Sequence, residues 1–310
     1  MPKRNQPPSS KLNYRADPPP DISPRWLLTA FALTLLAAAL CGYTALCLLF
    51  YQGQWQLLFH PSRTITTTPA KVSLAFEEIH FDVTDAGQPQ IDGWYIPADP
   101  QAQYVTATVL YLHDARGSLS DYVPALQLLH ATGINIFAFD YRGFGRSAGA
   151  HPTEHRATDD ATAAWTYLTD TRHLSPNRLI VYGDGAGATF AAHLAAQFAP
   201  AGAILEDPSP TARQILLSDA RARILPLWLL QKERLDPTAD LAHAHTPRLF
   251  LDVRREPDTP AVVGGVVGYP PRTRALFNAS SYPKQYYDLR ALPASALATT
   301  LTRFYDDVLH

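Results

Sequence analysis

Cysteine is nearly absent from this sequence: two residues among 310, Cys41 and Cys47, lie in one apolar segment near the N-terminus. The remainder of the chain has none, which excludes a disulfide framework and a cysteine-ligated metal site there. Net charge is also low, because 26 basic residues oppose 28 acidic ones. A near-neutral chain lacks the basic surface that binds a phosphate backbone, so no nucleic-acid partner is predicted.

Histidine is missing from most of the C-terminal part of the chain. Beyond His245 only His310, the last residue, remains, which limits where a histidine base for catalysis can come from. The other histidines are scattered and show no spacing typical of a metal site. The sequence therefore predicts neither a metal nor a cofactor.

The N-terminal region divides into two segments. Residues 1–25 are rich in proline and carry five basic and two acidic side chains, a composition that cannot bury a core, so we predict a disordered tail. Residues 26–51 are uncharged and mostly apolar, and they exceed the roughly 20 residues that a spanning helix needs. They predict a transmembrane helix, with Tyr51 and Trp55 where an interfacial aromatic belt would lie.

The charge before this segment predicts the topology. Basic residues precede the span, and positive charge favours the cytoplasmic side. We therefore expect a single-pass membrane protein with a cytoplasmic N-terminus and its globular domain on the outer or periplasmic side. A cleaved signal peptide is the alternative, but its apolar core is usually about 7–15 residues long. Neither cysteine follows a small residue, since Leu40 and Leu46 precede them, so a lipoprotein site is not favoured.

Residues 52–70 are predicted to be a juxtamembrane linker, and residues 71–310 one globular domain. Within this domain, 72–83 and 91–96 alternate apolar and polar residues, as antiparallel strands do. Later apolar runs alternate with segments of helical period, which indicates a mostly parallel sheet with helices on both faces. A long apolar helix over 211–235 is predicted to be a lid or cap, or a surface near the membrane.

The domain is centred on the stretch 178–198. The apolar run Leu179–Tyr182 leads into Gly-Asp-Gly-Ala-Gly and then into a helix-like run. Strand, tight turn and helix are the setting of a nucleophile elbow, in which small residues stand two places on either side of a catalytic serine. Gly183 and Gly187 are those small residues. The serine position is Gly185, which has no side chain with which to attack.

Four motifs make the chain resemble the α/β-hydrolase fold superfamily, most closely its membrane-anchored Bem46-like serine hydrolase branch. They are 111–117 (YLHDARG), 139–147 (FDYRGFGRS), the elbow 181–187 (VYGDGAG) and 203–208 (AILEDP). The resemblance covers about residues 70–310. It implies an α/β-hydrolase fold, with a mostly parallel central sheet and helices on both faces, preceded by a single N-terminal transmembrane helix.

The departures from the family pattern fall on the catalytic triad. By resemblance, the nucleophile position is Gly185, the acid position is Glu256 with Asp258 close by, and the base position is Ala294. The resemblance therefore implies a degenerate triad with no intact catalytic residue at the nucleophile or base position.

The oxyanion loop departs as well. By resemblance, the pocket and oxyanion residues are His113 and Asp114 of the first motif, together with Gly185 and Ala186 of the elbow. Asp114 replaces a glycine of the family, and a carboxylate beside a developing oxyanion would oppose it. Serine hydrolysis needs an activated nucleophile, a base and an oxyanion site together.

Three other interpretations stay open. Residues 145–149 form a Gly-x-Ser-x-Gly with Ser147 at its centre, although the motif lies in a loop and not between a strand end and a helix. Asp184 is a candidate nucleophile of the dehalogenase type, although a bulky tyrosine stands two places before it. The stretch 183–188 also fits a dinucleotide fingerprint, with Glu206 about twenty residues further on.

Together these features predict a membrane-anchored α/β-hydrolase-fold protein whose active site is degenerate. Its expected contacts are the membrane, through residues 26–51, and a small acyl or ester-like ligand or a protein partner. The alternative is an active hydrolase of ester or acyl substrates that uses a rearranged catalytic set. A histidine within hydrogen-bond reach of a serine would favour that alternative.

Overall fold

The computed structural model describes residues 23–83, 90–149, 151–253, 272–293 and 295–309. The tail 1–22 lies outside these residues, as do Glu256, Asp258 and Ala294, the positions predicted for the acid and the base. The chain divides into two compact units, Met1–Leu48 and Leu49–His310.

Helix α1 (Pro24–Gly53) begins in the first unit and continues into the second. It has 30 residues, none of them buried, and most are apolar. Among the described helices, it is the one that is long and apolar enough to cross a membrane. Its length and composition suit a membrane anchor or a signal sequence near the N-terminus.

Eight strands form the central sheet of the second unit: β1 (Glu77–Phe81), β2 (Ile91–Ile96), β3 (Tyr104–Leu112), β4 (Ile134–Phe139), β5 (Leu179–Asp184), β6 (Gly202–Glu206), β7 (Arg248–Asp252) and β8 (Lys284–Asp288). Their order across the sheet is β1-β2-β4-β3-β5-β6-β7-β8. The β1–β2 and β2–β4 pairs are antiparallel, and the other pairs are parallel.

Helices connect the parallel strands and cover the sheet. Because a parallel connection must cross over the sheet, each such link has room for a helix. The helices that follow α1 are α2 (Trp55–Leu58), α3 (Val123–His130), α4 (Glu154–Thr166), α5 (Gly187–Phe198), α6 (Ala212–Ser218), α7 (Leu227–Leu230), α8 (Thr238–His243), α9 (Thr273–Ala279) and α10 (Ser295–Leu309).

The core lies on both faces of the sheet because successive strand residues point to opposite sides. Leu249 and Leu251 of β7 pack with side chains of α3 and α10 on one face. Phe250, between them, packs on the other face with side chains of α5, α8 and α9. Burying each such side chain contributes about 1.5–3 kcal/mol. The predicted fold class, a mostly parallel sheet with helices on both faces, is confirmed.

The single helix predicted over 211–235 is wrong. The segment consists of α6, a 3-10 turn at Ala222–Ile224 and α7. After α6 the backbone of Asp219 is extended, and its carboxylate accepts a hydrogen bond from the Arg221 N–H. The chain is extended again just before Pro226. A side chain that bonds nearby backbone and a proline that lacks an N–H both interrupt a helix.

Residues 52–70, predicted as a linker, belong to the second unit. Leu58 and Phe59 are buried. The next two residues, His60–Pro61, pair in parallel with Arg116–Gly117 in the loop that follows β3. The chain that leaves α1 therefore runs along the carboxyl edge of the sheet, beside the predicted oxyanion loop.

Candidate functional site

The tight turn between β5 and α5 has the geometry that the glycine pattern predicts. Gly185 has φ +60, in the left-handed region that side chains disfavour. A Cβ on Gly183 would lie 2.4 Å from the Gly187 carbonyl oxygen, and a Cβ on Gly187 would lie 2.0 Å from that of Leu112. The helix thus approaches the strands too closely for a side chain at either flanking position.

The Asp114 carboxylate fills the space in which a side chain at position 185 would lie. A Cβ on Gly185 would be 2.3 Å from Oδ1 of Asp114 and 2.8 Å from its Cβ. The same Oδ1 accepts a 2.8 Å hydrogen bond from the backbone N–H of Ala186. Asp114 is 6% exposed, so the carboxylate is held inside the protein, against the elbow.

Two further residues hold Asp114 in place. The Ser209 hydroxyl donates to Oδ1 at 3.2 Å, and Nε of Arg116 lies 3.7 Å from Oδ2. Ser209 also closes the turn, because its backbone N–H donates to the Gly185 carbonyl at 3.1 Å. Sequence analysis missed Ser209, for which the only signal is its position directly after the motif 203–208.

This arrangement opposes hydrolysis at the elbow. In a nucleophile elbow, the backbone N–H of the residue after the nucleophile helps to bind the oxyanion. Here that N–H belongs to Ala186, and Asp114 occupies it. A fixed negative charge at this point repels the charge that would develop on a substrate oxygen. Position 185 is a glycine and carries no side-chain oxygen.

The His113 ring makes structural contacts. Its Nδ1–H donates to the backbone carbonyl of Asp114 at 2.7 Å, and the ring packs against Tyr122 and Tyr141. Burial lowers the pKa of His113 to about 4, so the ring is neutral at pH 7. Since Nδ1 carries the proton, Nε2 carries a lone pair, and this buried atom has no hydrogen-bond partner.

Asp140 lies opposite this lone pair. Its Oδ1 is 3.6 Å from Nε2 of His113 and accepts a 2.9 Å hydrogen bond from the backbone N–H of Leu119. Burial raises the pKa of Asp140 to about 7. His113 and Asp140 are therefore buried neighbours, and the distance between Nε2 and Oδ1 is longer than a hydrogen bond.

Ser147, the alternative nucleophile, is part of the fold's hydrogen bonding. It is 1% exposed. Its hydroxyl donates to the backbone carbonyl of Asp140 and accepts a 3.0 Å hydrogen bond from the backbone N–H of Asp92. The first of these bonds lies within the 140–149 loop, and the second joins that loop to β2.

The acidic side chains of the other two interpretations, Asp184 and Glu206, are also held by hydrogen bonds. Asp184 is 6% exposed, and its carboxylate accepts a hydrogen bond of 3.4 Å from the Tyr111 hydroxyl. Glu206, which a dinucleotide site would direct to a ribose, accepts a hydrogen bond from the Tyr182 hydroxyl. Each carboxylate is therefore bonded to a tyrosine of the sheet.

In the part of the chain that the structure describes, no hydrogen bond joins a histidine ring to a serine hydroxyl. Several of the described rings contact carboxylates or backbone carbonyls instead, as His80 does with Asp92 and His193 with Asp240. Within the described residues, no group of three or more His, Cys, Asp or Glu side chains is placed to hold a metal ion.

Comparison with known proteins extends over most of the domain. The family model described as "Serine aminopeptidase, S33" matches residues 103–245. The chain is 25% identical over 255 residues to the uncharacterized protein Rv2307c of Mycobacterium tuberculosis, a match that covers 82% of this chain and 85% of that one. It is 30% identical over 130 residues to the human alpha/beta hydrolase domain-containing protein 17B, covering 41% and 43% of the two chains.

Solved structures share the fold. An esterase of Pyrococcus furiosus superposes with a TM-score of 0.61 at 16% identity, over 82% of this chain and 98% of that one. An alpha-beta hydrolase of Vibrio vulnificus superposes with a TM-score of 0.55 at 21% identity, over 77% and 81%. The chain belongs to the α/β-hydrolase superfamily. The narrower resemblance to the Bem46-like branch stays a prediction.

Proposed function

We propose that this protein is a membrane-anchored, catalytically inactive member of the superfamily, which binds a ligand or supports a protein partner at the membrane surface. The Asp114 carboxylate is the observation that carries the proposal. It takes the side-chain space of position 185 and also the N–H of Ala186. One residue thus blocks both the nucleophile and the oxyanion site.

The residue at the predicted base position supports the same conclusion. The sequence has alanine at position 294, where the family resemblance implies histidine. His113, the histidine next to the elbow loop, is neutral and buried, with Nδ1 bonded to backbone. A serine without a base is a weak nucleophile, so a serine at position 185 would still lack its activator.

The expected ligand is a neutral acyl or ester-like molecule, and a protein partner is the other possibility. The Pyrococcus furiosus neighbour is an esterase, which supports this chemical class. A carboxylate ligand is disfavoured near the elbow, because the Asp114 charge is fixed there at low exposure.

The membrane location is proposed from α1. The helix is an uncleaved anchor under this proposal, with the N-terminus in the cytoplasm and the globular domain outside. The basic residues before Trp26 support that orientation, and the length of the apolar segment supports an anchor over a signal peptide.

A phosphonylating serine-hydrolase probe tests the lack of activity. The purified full chain should not react, and it should not cleave a short-chain aryl ester, whereas an active serine esterase treated in the same way should do both. Gly185→Ser alone should also stay inactive. Activity should need Gly185→Ser and Asp114→Gly together with Ala294→His, with Glu256 serving as the acid.

Two results would contradict the proposal. Labelling of the unmodified chain, mapped by mass spectrometry to Ser147, Ser209 or another serine, would establish the rearranged hydrolase instead. Activity from Gly185→Ser alone would show that another histidine serves as the base and that Asp114 moves aside.

A further inference from the structure

Large apolar side chains are exposed in the region of α6 and α7. Trp228 is 82% exposed, Ile224 65% and Leu229 64%. Leu225 and Leu227 alternate with them and are buried, so the region is fixed to the domain while it presents the other side chains outward. We call residues 212–234 the cap segment. Exposed apolar side chains grouped in this way mark an interaction surface.

The cap segment is bonded to the point at which the chain leaves α1. Gln54 directly follows α1 and is 2% exposed. Its Nε2 donates to the Leu230 carbonyl at 2.9 Å, and its Oε1 accepts from the Lys232 N–H at 3.0 Å. The Lys232 ammonium lies 3.7 Å from the centre of the Tyr51 ring. In addition, α2 packs against α6.

These contacts hold the cap segment next to Tyr51 and Gln54, where the chain would leave the membrane under the proposed anchoring. Tyr51 and Trp55 are aromatic residues of the kind that lie in the headgroup layer, a layer about 5–8 Å thick on each side of the hydrocarbon core. Trp228 is two residues from Leu230, a chain length of at most about 7 Å. The exposed indole is therefore within reach of the layer in which the chain leaves the bilayer.

The charges of the cap segment favour a lipid surface. Its charged residues are five basic and two acidic: Arg213, Arg221, Arg223, Lys232 and Arg234 against Asp219 and Glu233. The five basic residues are exposed, and Glu233 is buried. Exposed Trp and aliphatic side chains beside Lys and Arg are typical of segments that lie in the interface of anionic membranes.

We propose that the cap segment is a second membrane contact, in which Trp228, Ile224 and Leu229 enter the headgroup layer of an anionic bilayer. This proposal rests on the proposed anchoring through α1. The anchor holds the domain near the bilayer, and the cap segment then fixes which surface of the domain faces the lipid. The second contact forms within one molecule, so it needs little intrinsic affinity.

Spin labels at two exposed positions test the proposal in the full chain. In a Cys41→Ala, Cys47→Ala background, Trp228→Cys and Tyr282→Cys each receive one nitroxide. Tyr282 is a matched control, because it is aromatic and 78% exposed. It lies just before β8 and so at the amino end of the parallel strands. The proteins are placed in nanodiscs of phosphatidylcholine and phosphatidylglycerol, and collision with oxygen is compared with collision with a polar nickel chelate.

The label at position 228 should show an oxygen-to-nickel collision ratio several-fold higher than the label at 282. Equal ratios would overturn the proposal, because both labels would then be in water. Low collision with both reagents at 228 would also overturn it, since a second protein copy or another protein would then cover the cap segment. Alkaline extraction of membranes tests the anchor separately: release of the chain would refute anchoring, whatever the labels report.

Discussion

Gly185 and Asp114 should be energetically coupled, and the strength of the coupling follows from their geometry. In Gly185→Ala, the new Cβ lies 2.3 Å from Oδ1 of Asp114, so the carboxylate has to leave. Its departure removes the acceptor of the buried Ala186 N–H, which costs about 1–3 kcal/mol. The backbone at φ +60 costs a residue with a side chain about 1–2 kcal/mol more.

A smaller effect acts in the opposite direction. Alanine restricts the unfolded chain more than glycine does, which stabilises the folded state by about 0.4–1 kcal/mol. The net expectation for Gly185→Ala is a loss of about 3 kcal/mol, or roughly 6–12 °C in Tm for a domain of this size. In an Asp114→Gly background the clash is absent, so the same substitution should cost only about 1 kcal/mol.

Thermal unfolding of the full chain in one detergent measures this cycle. The fluorescence of Trp94 and Trp165, which are buried, reports on the domain. Asp114→Ala is a graded control, since it removes the carboxylate but keeps a Cβ 2.8 Å from the new one. Gly187→Ala should not be rescued, because its Cβ meets backbone. Equal costs of Gly185→Ala in the native and Asp114→Gly backgrounds would refute the reasoning.

Two further predictions concern pH and topology. Burial raises the pKa of Asp140 from 3.8 to about 7, so its contribution to stability is complete below pH 4 and is lost as the pH rises through 7. Between pH 4 and pH 7, the free energy of unfolding of Asp140→Asn should therefore fall less than that of the native chain, by up to about 4 kcal/mol. Urea unfolding measures both free energies across this range, and parallel pH profiles would contradict the prediction. A reporter that works only in the cytoplasm should be inactive when fused to the C-terminus, since the basic residues precede α1; an active fusion would reverse the topology.

Much of the fold could be predicted from the sequence because local signals agree with the tertiary contacts. The mostly apolar run at 106–112 predicts a buried strand, and residues 107–112 are buried as the last part of β3. Gly183 and Gly187 are needed because a Cβ at either position would clash with backbone atoms. This requirement does not depend on the surrounding side chains. The first strand, Glu77–Phe81, is shorter than the predicted 72–83. A 3-10 turn at Pro69–Val72 is followed by Ser73 with a left-handed backbone, and an alternating pattern does not show where strand pairing begins.

The contents of the site depend on contacts between distant residues. The sequence indicates that a carboxylate at position 114 opposes an oxyanion, but it does not show that Oδ1 accepts the Ala186 N–H, because this depends on a rotamer set by packing. Ser209 lies in another loop and meets Asp114 only in the folded chain. The apolar composition of 211–235 indicates a cap or a surface near the membrane. Asp219 and Pro226 interrupt the helix in this segment.

The steric exclusion between positions 114 and 185 also couples the residues that these two positions can carry. A chain that carries a side chain at 185 cannot hold the Asp114 carboxylate where it now lies. A side chain at 185 and the present position of that carboxylate are therefore alternatives, so a substitution at one position changes which residues the other position accepts.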